Sequence, residues 1–225
     1  MPAQGGLMRN STFGLLALAA CGNTSPRQES PVTKLPPLSA ASMIPQPRTD
    51  LPPTSTYTLA GTGDLHDFDY FAGAWAFENR RLKQRGVGST EWDEFPARSC
   101  TTIYLDSIVN VDELQFPTKG WAGITFRNFD VAKKQWSIYW VNSREGQMTP
   151  PVLGGFTGDK GFFYGEDTDE GRPVLVRFSW TKLPPDRAHW EQAFSTDGGV
   201  TWETNWMNDL TRLDDSKCAK GRPVP

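Results

Sequence analysis

The charged residues best placed for acid–base chemistry lie in two neighbouring segments of predicted β-strand. Glu91 and Asp93 alternate along segment 89–95, so in an extended strand their carboxylates share one face with Phe95. Arg81 lies in the preceding segment. An isomerase, cyclase or hydrolase acting on a small hydrophobic substrate needs a general acid or base inside a cavity. Arg81, Glu91 and Asp93 are therefore the candidate catalytic residues.

Two other motifs favour structural roles. Residues 195–202 match the Asp-box pattern S-x-D-x-G-x-T-W of sialidase propellers, but propellers repeat such units and this chain has a single copy. The motif predicts a hairpin in which Asp197 caps turn amides and Trp202 packs beneath the turn. The acidic run 166–171 lacks the spacing and the distal Glu of an EF-hand, which favours a solvated turn.

The sequence contains few features that would indicate binding of a metal, a cofactor or a nucleic acid. The two histidines, His66 and His189, are too few for a zinc site, and His189 is expected to point to solvent. There is no phosphate loop or dinucleotide fingerprint. We expect no metal site and no cofactor. The net charge of −3 does not favour a nucleic-acid partner, which would require a basic face.

Aromatic residues are unusually frequent, with nine Trp and thirteen Phe, and every Trp lies between Trp75 and Trp206. If the tryptophan faces point into a barrel, its lumen has flat apolar walls, a few amides and one cation, which suits a ligand with a ring or chain and a polar head. A filled core is the alternative, but about ten strands leave more room than a small barrel does. The candidate ligand-binding residues are Phe77, Asn79, Trp140, Asn142, Phe178, Trp190, Gln192, Thr204, Trp206 and Asn208.

The elements that must position these residues are short strands. Apolar and polar residues alternate with the period of two that half-buried strands show, and turns rich in Gly, Asp, Asn and Pro separate the runs. In the last run Thr204 and Trp206 share one face, and Asn205 lies on the other. A series of strands without helices predicts an all-β antiparallel meander closed into a barrel of about ten strands. The predicted strands are 74–83, 89–95, 99–105, 109–115, 121–128, 135–142, 152–157, 161–166, 172–182, 187–195 and 200–212.

The N-terminus resembles an export signal. Residues 8–10 give a short positive head, and residues 11–20 form an apolar run too short to cross a bilayer. The sequence L-A-A-C that ends at Cys21 resembles the bacterial lipobox, in which the Cys becomes the lipidated first residue of the mature protein. By that resemblance, and because Gly22 rather than Asp follows, we expect a lipid anchor on the periplasmic side of the outer membrane of a bacterial cell envelope.

The remaining chain divides into a tether, a barrel and a tail. Residues 22–60, rich in Pro and Ser, predict a disordered tether between the signal peptide (1–21) and the barrel (61–213). The tail is 214–225. In an oxidising compartment Cys100 and Cys218 can pair, which is worth roughly 4–5 kcal/mol by loop entropy. Equally, Cys100 can be a small buried residue and Cys218 a free thiol.

Several segments resemble known barrels. Gly73-Ala74-Trp75 resembles the Gly-x-Trp that begins lipocalin-type barrels, and Arg212 is placed where those proteins hold a cation against the Trp. Most of 64–213 is similar to an uncharacterised bacterial calycin-like family, known as a domain of unknown function. The resemblance implies a lipocalin-like barrel with a central cavity and supplies no catalytic residues. The segments that carry it are HDFDYFAGAW (66–75), STEWDEF (89–95), WSIYW (136–140), GFFYGEDT (161–168), RFSW (177–180) and WEQAFSTDGGVTWETNW (190–206).

Two functions of different class follow. The first is a lipid-anchored cell-envelope barrel that binds a small apolar or aromatic molecule in its lumen, with that molecule and the membrane as its partners. The second is the enzyme described above. An inward carboxylate with a raised pKa would favour the enzyme, whereas acids that all face solvent would count against it. A weaker third hypothesis is a structural envelope protein that binds a partner through an exposed edge.

Overall fold

The computed structural model describes residues 57–219 and 221–223, which form an all-β domain. Ten strands close into an antiparallel barrel: each pairs with its neighbours in sequence, and β1 pairs with β10. The predicted meander barrel is confirmed and is consistent with a calycin-like fold. Cys21 and residues 22–56 lie outside the described residues. The barrel strands are β1 (Gly73–Leu82), β2 (Trp92–Tyr104), β3 (Val109–Phe116), β4 (Trp121–Asp130), β5 (Gln135–Asn142), β6 (Val152–Thr157), β7 (Lys160–Asp169), β8 (Arg172–Leu183), β9 (Arg187–Ser195) and β10 (Glu203–Arg212).

Two predicted strands are in fact one. The predicted strands 89–95 and 99–105 overlap one continuous strand, β2, which begins at Trp92 and ends at Tyr104. Pro96 lies inside β2 and pairs with β1, but the pairing with β3 begins only at Arg98. Proline lacks a backbone N–H, so it is tolerated in a strand where one side has no ladder partner.

A β-bulge in β10 changes which side chains point inward. The register between β9 and β10 shifts between Thr204 and Trp206. Asn205 is fully buried, and its Oδ1 accepts a 2.8 Å hydrogen bond from Gln192. The prediction that Asn205 lies on the outer face is therefore wrong, because a bulge opposes two residues of one strand to a single residue of its partner.

Aromatic side chains fill one end of the barrel. Phe68, in the segment that precedes β1, is 1% exposed. Its ring centroid lies 4.9 Å from that of Trp136 and 5.7 Å from that of Phe163. Phe71, in the 3-10 helix Asp69–Phe71, packs 4.7 Å from Trp180. These edge-to-face and tilted contacts close this end, which we call the floor.

A cation holds the first strand against the floor. The guanidinium of Arg212 lies 4.2 Å from the centroid of the Trp75 ring and donates hydrogen bonds to the backbone carbonyls of Tyr70 and Ala72. The indole N–H of Trp75 donates to the carbonyl of Phe71. This contact confirms the Trp–cation pair that the lipocalin resemblance implied.

The C-terminal tail is joined to the barrel covalently. Cys100 of β2 and Cys218 form a disulfide, so the paired alternative is the one found. Beyond it, β11 (Cys218–Ala219) and β12 (Arg222–Pro223) form a small hairpin. The guanidinium of Arg222 donates two hydrogen bonds, of 2.6 and 2.9 Å, to Glu113 of β3. The tail therefore packs on β2 and β3.

The end of the predicted tether also packs on the barrel. Tyr57 is 8% exposed, and its ring lies 5.9 Å from that of Tyr164. Gly63 crosses β6 at Gly155, where a Cβ on Gly63 would come within 2.8 Å of the Gly155 Cα. Only glycine permits so close an approach of two backbones. Packed structure therefore begins before residue 61.

Candidate functional site

A cavity of about 490 Å³ occupies the lumen on the side away from the floor. Arg85, between β1 and β2, and Thr149, between β5 and β6, lie at its mouth. Small-molecule sites have volumes of roughly 300 to 1,000 Å³, so the space suits a compact ligand. The lumen is therefore hollow rather than filled.

Aromatic rings from separate strands form the cavity wall. The ring of Trp190 lies 5.0 Å from Phe178 and 5.8 Å from Trp206. Trp121, at the mouth end of β4, lies 6.4 Å from Trp140 and 6.5 Å from Trp206. Alternation along each strand turns these side chains inward. The wall can therefore contact a flat or apolar ligand from several sides.

Most of the predicted ligand-binding residues reach this wall. Strand alternation alone is enough to place them, since no bulge interrupts β1, β5 or β8 at these positions. The residues that line the cavity are Phe77, Trp140, Asn142, Phe178, Trp190, Gln192, Trp206 and Asn208.

Two predicted binding residues do not line the cavity. Asn79 is 1% exposed, and its Oδ1 accepts a 3.0 Å hydrogen bond from the indole N–H of Trp206. It therefore orients a lining ring. Thr204 is displaced by the bulge, and Asn205 bonds to Gln192 of the wall instead.

The three candidate catalytic residues are not brought together. Arg81 lines the cavity. Asp93 accepts hydrogen bonds of 2.6 and 2.8 Å from Lys119 and does not line the cavity. Glu91 precedes β2, and its side chain is 75% exposed. Because β2 begins only at Trp92, the structure places Glu91 before the strand and not among the residues that line the cavity.

A buried ion pair that the sequence did not predict borders the cavity. Arg127 lines the cavity and donates a hydrogen bond to Asp112, whose side chain is 2% exposed. Asn110 accepts a second bond from Arg127, and the hydroxyl of Thr125 donates to Asp112. Burial raises the pKa of Asp112, while Arg127 and Thr125 oppose that rise. β3 pairs with β4 across the turn at 117–120, and this pairing brings the four residues together. The alignment of that hairpin is the sequence signal from which the ion pair could have been predicted.

Carboxylates lie around the mouth. Asp169 is 6% exposed and accepts hydrogen bonds from Arg85 and Arg172. Asp167 lines the cavity and makes no ion pair within the described part of the chain. Burial raises the pKa of Asp167, and the nearby Asp169 and Glu145 add to the rise. Asp167 is thus a lining carboxylate of the kind that an enzyme would need.

Several lining residues have unused hydrogen-bonding atoms. Among residues 57–219 and 221–223, no partner bonds Arg81 Nε, Arg127 Nε, Trp180 Nε1 or Asn208 Oδ1. Buried polar atoms are normally hydrogen-bonded, because an unpaired one loses its solvation without compensation. Four residues of the wall therefore have a buried polar atom that no described residue satisfies.

Comparison with known proteins gives no relative: no protein-family model matches the sequence, and no curated protein matches it significantly. In the part of the chain that the structure describes, no three His, Cys, Asp or Glu side chains are grouped so as to hold a metal ion. Nor does this part contain a helix of the length and apolarity that a membrane span requires.

Proposed function

We propose that this protein binds a small ligand with an apolar or aromatic body in the lumen of its barrel. The observation that carries the proposal is the cavity of about 490 Å³ walled by Trp140, Phe178, Trp190 and Trp206. Concave, mostly apolar sites with a few placed polar groups are typical of small-molecule binding. Asn208 and Gln192 supply such polar groups in this wall.

Tryptophan fluorescence and calorimetry with two naphthalene probes, 2-naphthamide and 2-naphthoate, test the proposal. Val176 is 4% exposed and lines the cavity, so V176W is expected to fill the lumen and weaken binding of both probes at least about tenfold. The matched control is V131W, at a position 63% exposed in a turn. The absence of binding of either probe to the wild-type protein, or equal binding by V176W, would contradict the proposal.

An enzyme on the same barrel is the second candidate, and Asp167 is the observation that favours it. A carboxylate that lines an apolar cavity and has a pKa raised by burial is the type of group that can act as a general acid or base. The enzyme hypothesis expects mass spectrometry to detect a product from a bound compound. D167N should then stop turnover and preserve affinity, whereas D209N, on the outer wall, should change neither. Unchanged turnover in D167N would exclude this role.

We further propose that the barrel is held at the periplasmic side of the outer membrane by a lipid on Cys21. The support is the sequence of residues 8–21, which resembles a lipoprotein signal. The C21S variant is expected to move the protein from the membrane fraction to the soluble fraction and to block incorporation of labelled palmitate. Membrane association that survives C21S would contradict the anchor.

A further inference from the structure

Arg81 is a cation at the cavity wall with an aromatic platform beneath it. It lies on β1, paired across the strands with Trp206 of β10 and Asp93 of β2. Its guanidinium carbon is 4.6 Å from the centroid of the Trp206 ring. This cation–π contact holds the guanidinium beside the rings that form the wall. Arg81 therefore meets any ligand that lies against Trp206.

Two carboxylates near Arg81 are already engaged by other cations, whereas Glu145, which also acts electrostatically on Arg81, makes no ion pair in the described part of the chain. Asp93, directly opposite Arg81 on β2, is held by Lys119. Asp169 accepts from both Arg85 and Arg172. Within residues 57–219 and 221–223, Arg81 itself makes no ion pair, and its Nε has no hydrogen-bond partner.

Two of the other lining arginines, Arg85 and Arg127, differ from Arg81 in this respect, whereas Arg144 lines the cavity as an exposed side chain that lies 4.9 Å from the Trp121 ring and makes no ion pair within the described residues. Arg127 is neutralised by Asp112, and Arg85 by Asp169. Burial lowers the pKa of Arg81, and the nearby Arg85 lowers it further. Withdrawing a charge from water without a partner is costly, so an anion placed beside Arg81 would relieve that cost.

A second polar group on the same pair of strands faces the cavity. Asn208, one residue pair closer to the floor than Trp206, is 5% exposed and lines the cavity. Its Oδ1 has no hydrogen-bond partner in the described part of the chain. The β1–β10 wall therefore carries a cation and the amide side chain of Asn208, while Trp140 and Phe178 present apolar surface.

We infer that the ligand carries an anionic oxygen group, a carboxylate or a phosphate, which is bound by Arg81 above the Trp206 ring. The inference rests on the proposed function and adds the chemical class of the ligand. The planar guanidinium offers two parallel N–H donors, which match the oxygens of a carboxylate or phosphate. The apolar body then extends from Arg81 along the aromatic wall toward the floor.

The test compares an acid with its neutral analogue of the same shape on the full-length protein. We expect 2-naphthoate to bind about tenfold tighter than 2-naphthamide, as a charge-assisted hydrogen bond provides. R81Q should remove this preference by weakening the binding of 2-naphthoate about tenfold more than that of 2-naphthamide, while R81K should keep part of the preference. The matched control is R80Q, because Arg80 lies next in sequence, on the outer face, and pairs with Glu94.

The outcomes separate the two proposals. Equal binding of acid and amide by the wild-type protein would overturn the anionic group and leave lumen binding intact, and this comparison does not depend on any variant folding. Loss of both probes in a folded R81Q protein would also overturn it. Binding of neither probe to the wild-type protein counts against the proposed function and, with it, this inference. 2-Naphthyl phosphate is the third probe: the anion that binds tighter identifies the head group as carboxylate or phosphate.

Discussion

Arg127 connects the floor of the barrel to the cavity above it. Its guanidinium lies 5.1 Å from the Phe68 ring and 5.6 Å from the Trp180 ring, and its charge is neutralised by Asp112. A buried ion pair contributes little net stability, but removing one partner leaves an uncompensated charge in an apolar site. At the scale of the residue, the loss of one partner from a paired polar group inside the barrel therefore lowers the stability of the fold.

Replacement of Asp112 by Asn is expected to destabilise the protein by about 3 kcal/mol, since it leaves Arg127 buried without a counter-ion. Urea unfolding followed by tryptophan fluorescence measures the change. The matched control is D106N, in an exposed turn where Asn suits the positive φ, with an expected change below about 0.5 kcal/mol. Similar stabilities for the two variants would show that the pair is not a structural requirement.

His189 on the outer wall makes stability depend on pH. Its Nδ1 lies 2.8 Å from Asp209 and its Nε2 3.0 Å from Glu191. Burial lowers the pKa of His189, but the two carboxylates outweigh it and raise the pKa above 6.5. The protonated form is thus favoured by folding, so its contribution is complete below the unfolded pKa and is lost as pH rises through the folded pKa.

The corresponding prediction concerns H189Q. The variant should lose up to about 1 kcal/mol of stability at acidic pH, the upper value for a partly exposed ion pair, and little at alkaline pH. Thermal unfolding of both proteins, measured at about one pH unit below 6.5 and about two units above it, gives the difference. A loss of equal size at both pH values would contradict the role of protonated His189.

At the scale of the element, alternation identifies strand faces until a bulge interrupts it. The faces of β1, β5, β8 and β9 follow from sequence, and so does most of the cavity wall. The orientations of Thr204 and Asn205 do not follow from the sequence, because residue types alone do not reveal a bulge. The Asp112–Arg127 pair depends on the register between two strands, which requires the hairpin to be aligned first.

The tail is the element most dependent on a covalent bond. The disulfide between Cys100 and Cys218 closes a loop with a sequence separation of 118 residues. A C100S/C218S double variant should be less stable by about 2–4 kcal/mol, as is typical when a native disulfide is removed. Denaturant unfolding with and without dithiothreitol checks this: reductant should destabilise the wild-type protein and leave the double variant unchanged. An unaffected wild-type protein would contradict the stabilising role.

At the scale of the whole molecule, the barrel is closed by aromatic rings at one end and hollow at the other. The floor around Phe68 and the wall around Trp190 are built from the same residue types. Composition alone therefore does not show which part of the lumen is filled and which part is empty. The difference comes from the segment before β1, whose Phe68 and Phe71 occupy the space that a ligand would otherwise reach. Binding at the open end is expected to stabilise the fold by an amount that rises with the logarithm of the ligand concentration above the Kd, as linkage requires.

The most direct test of the central claim is a crystal structure of the full-length protein with 2-naphthoate. We predict electron density for the naphthalene ring between Trp140, Phe178 and Trp206, with the carboxylate within hydrogen-bonding distance of Arg81. A lumen in which the aromatic side chains have closed the cavity, or a probe bound only on the outer surface of the barrel, would contradict the claim that this barrel is a ligand-binding protein.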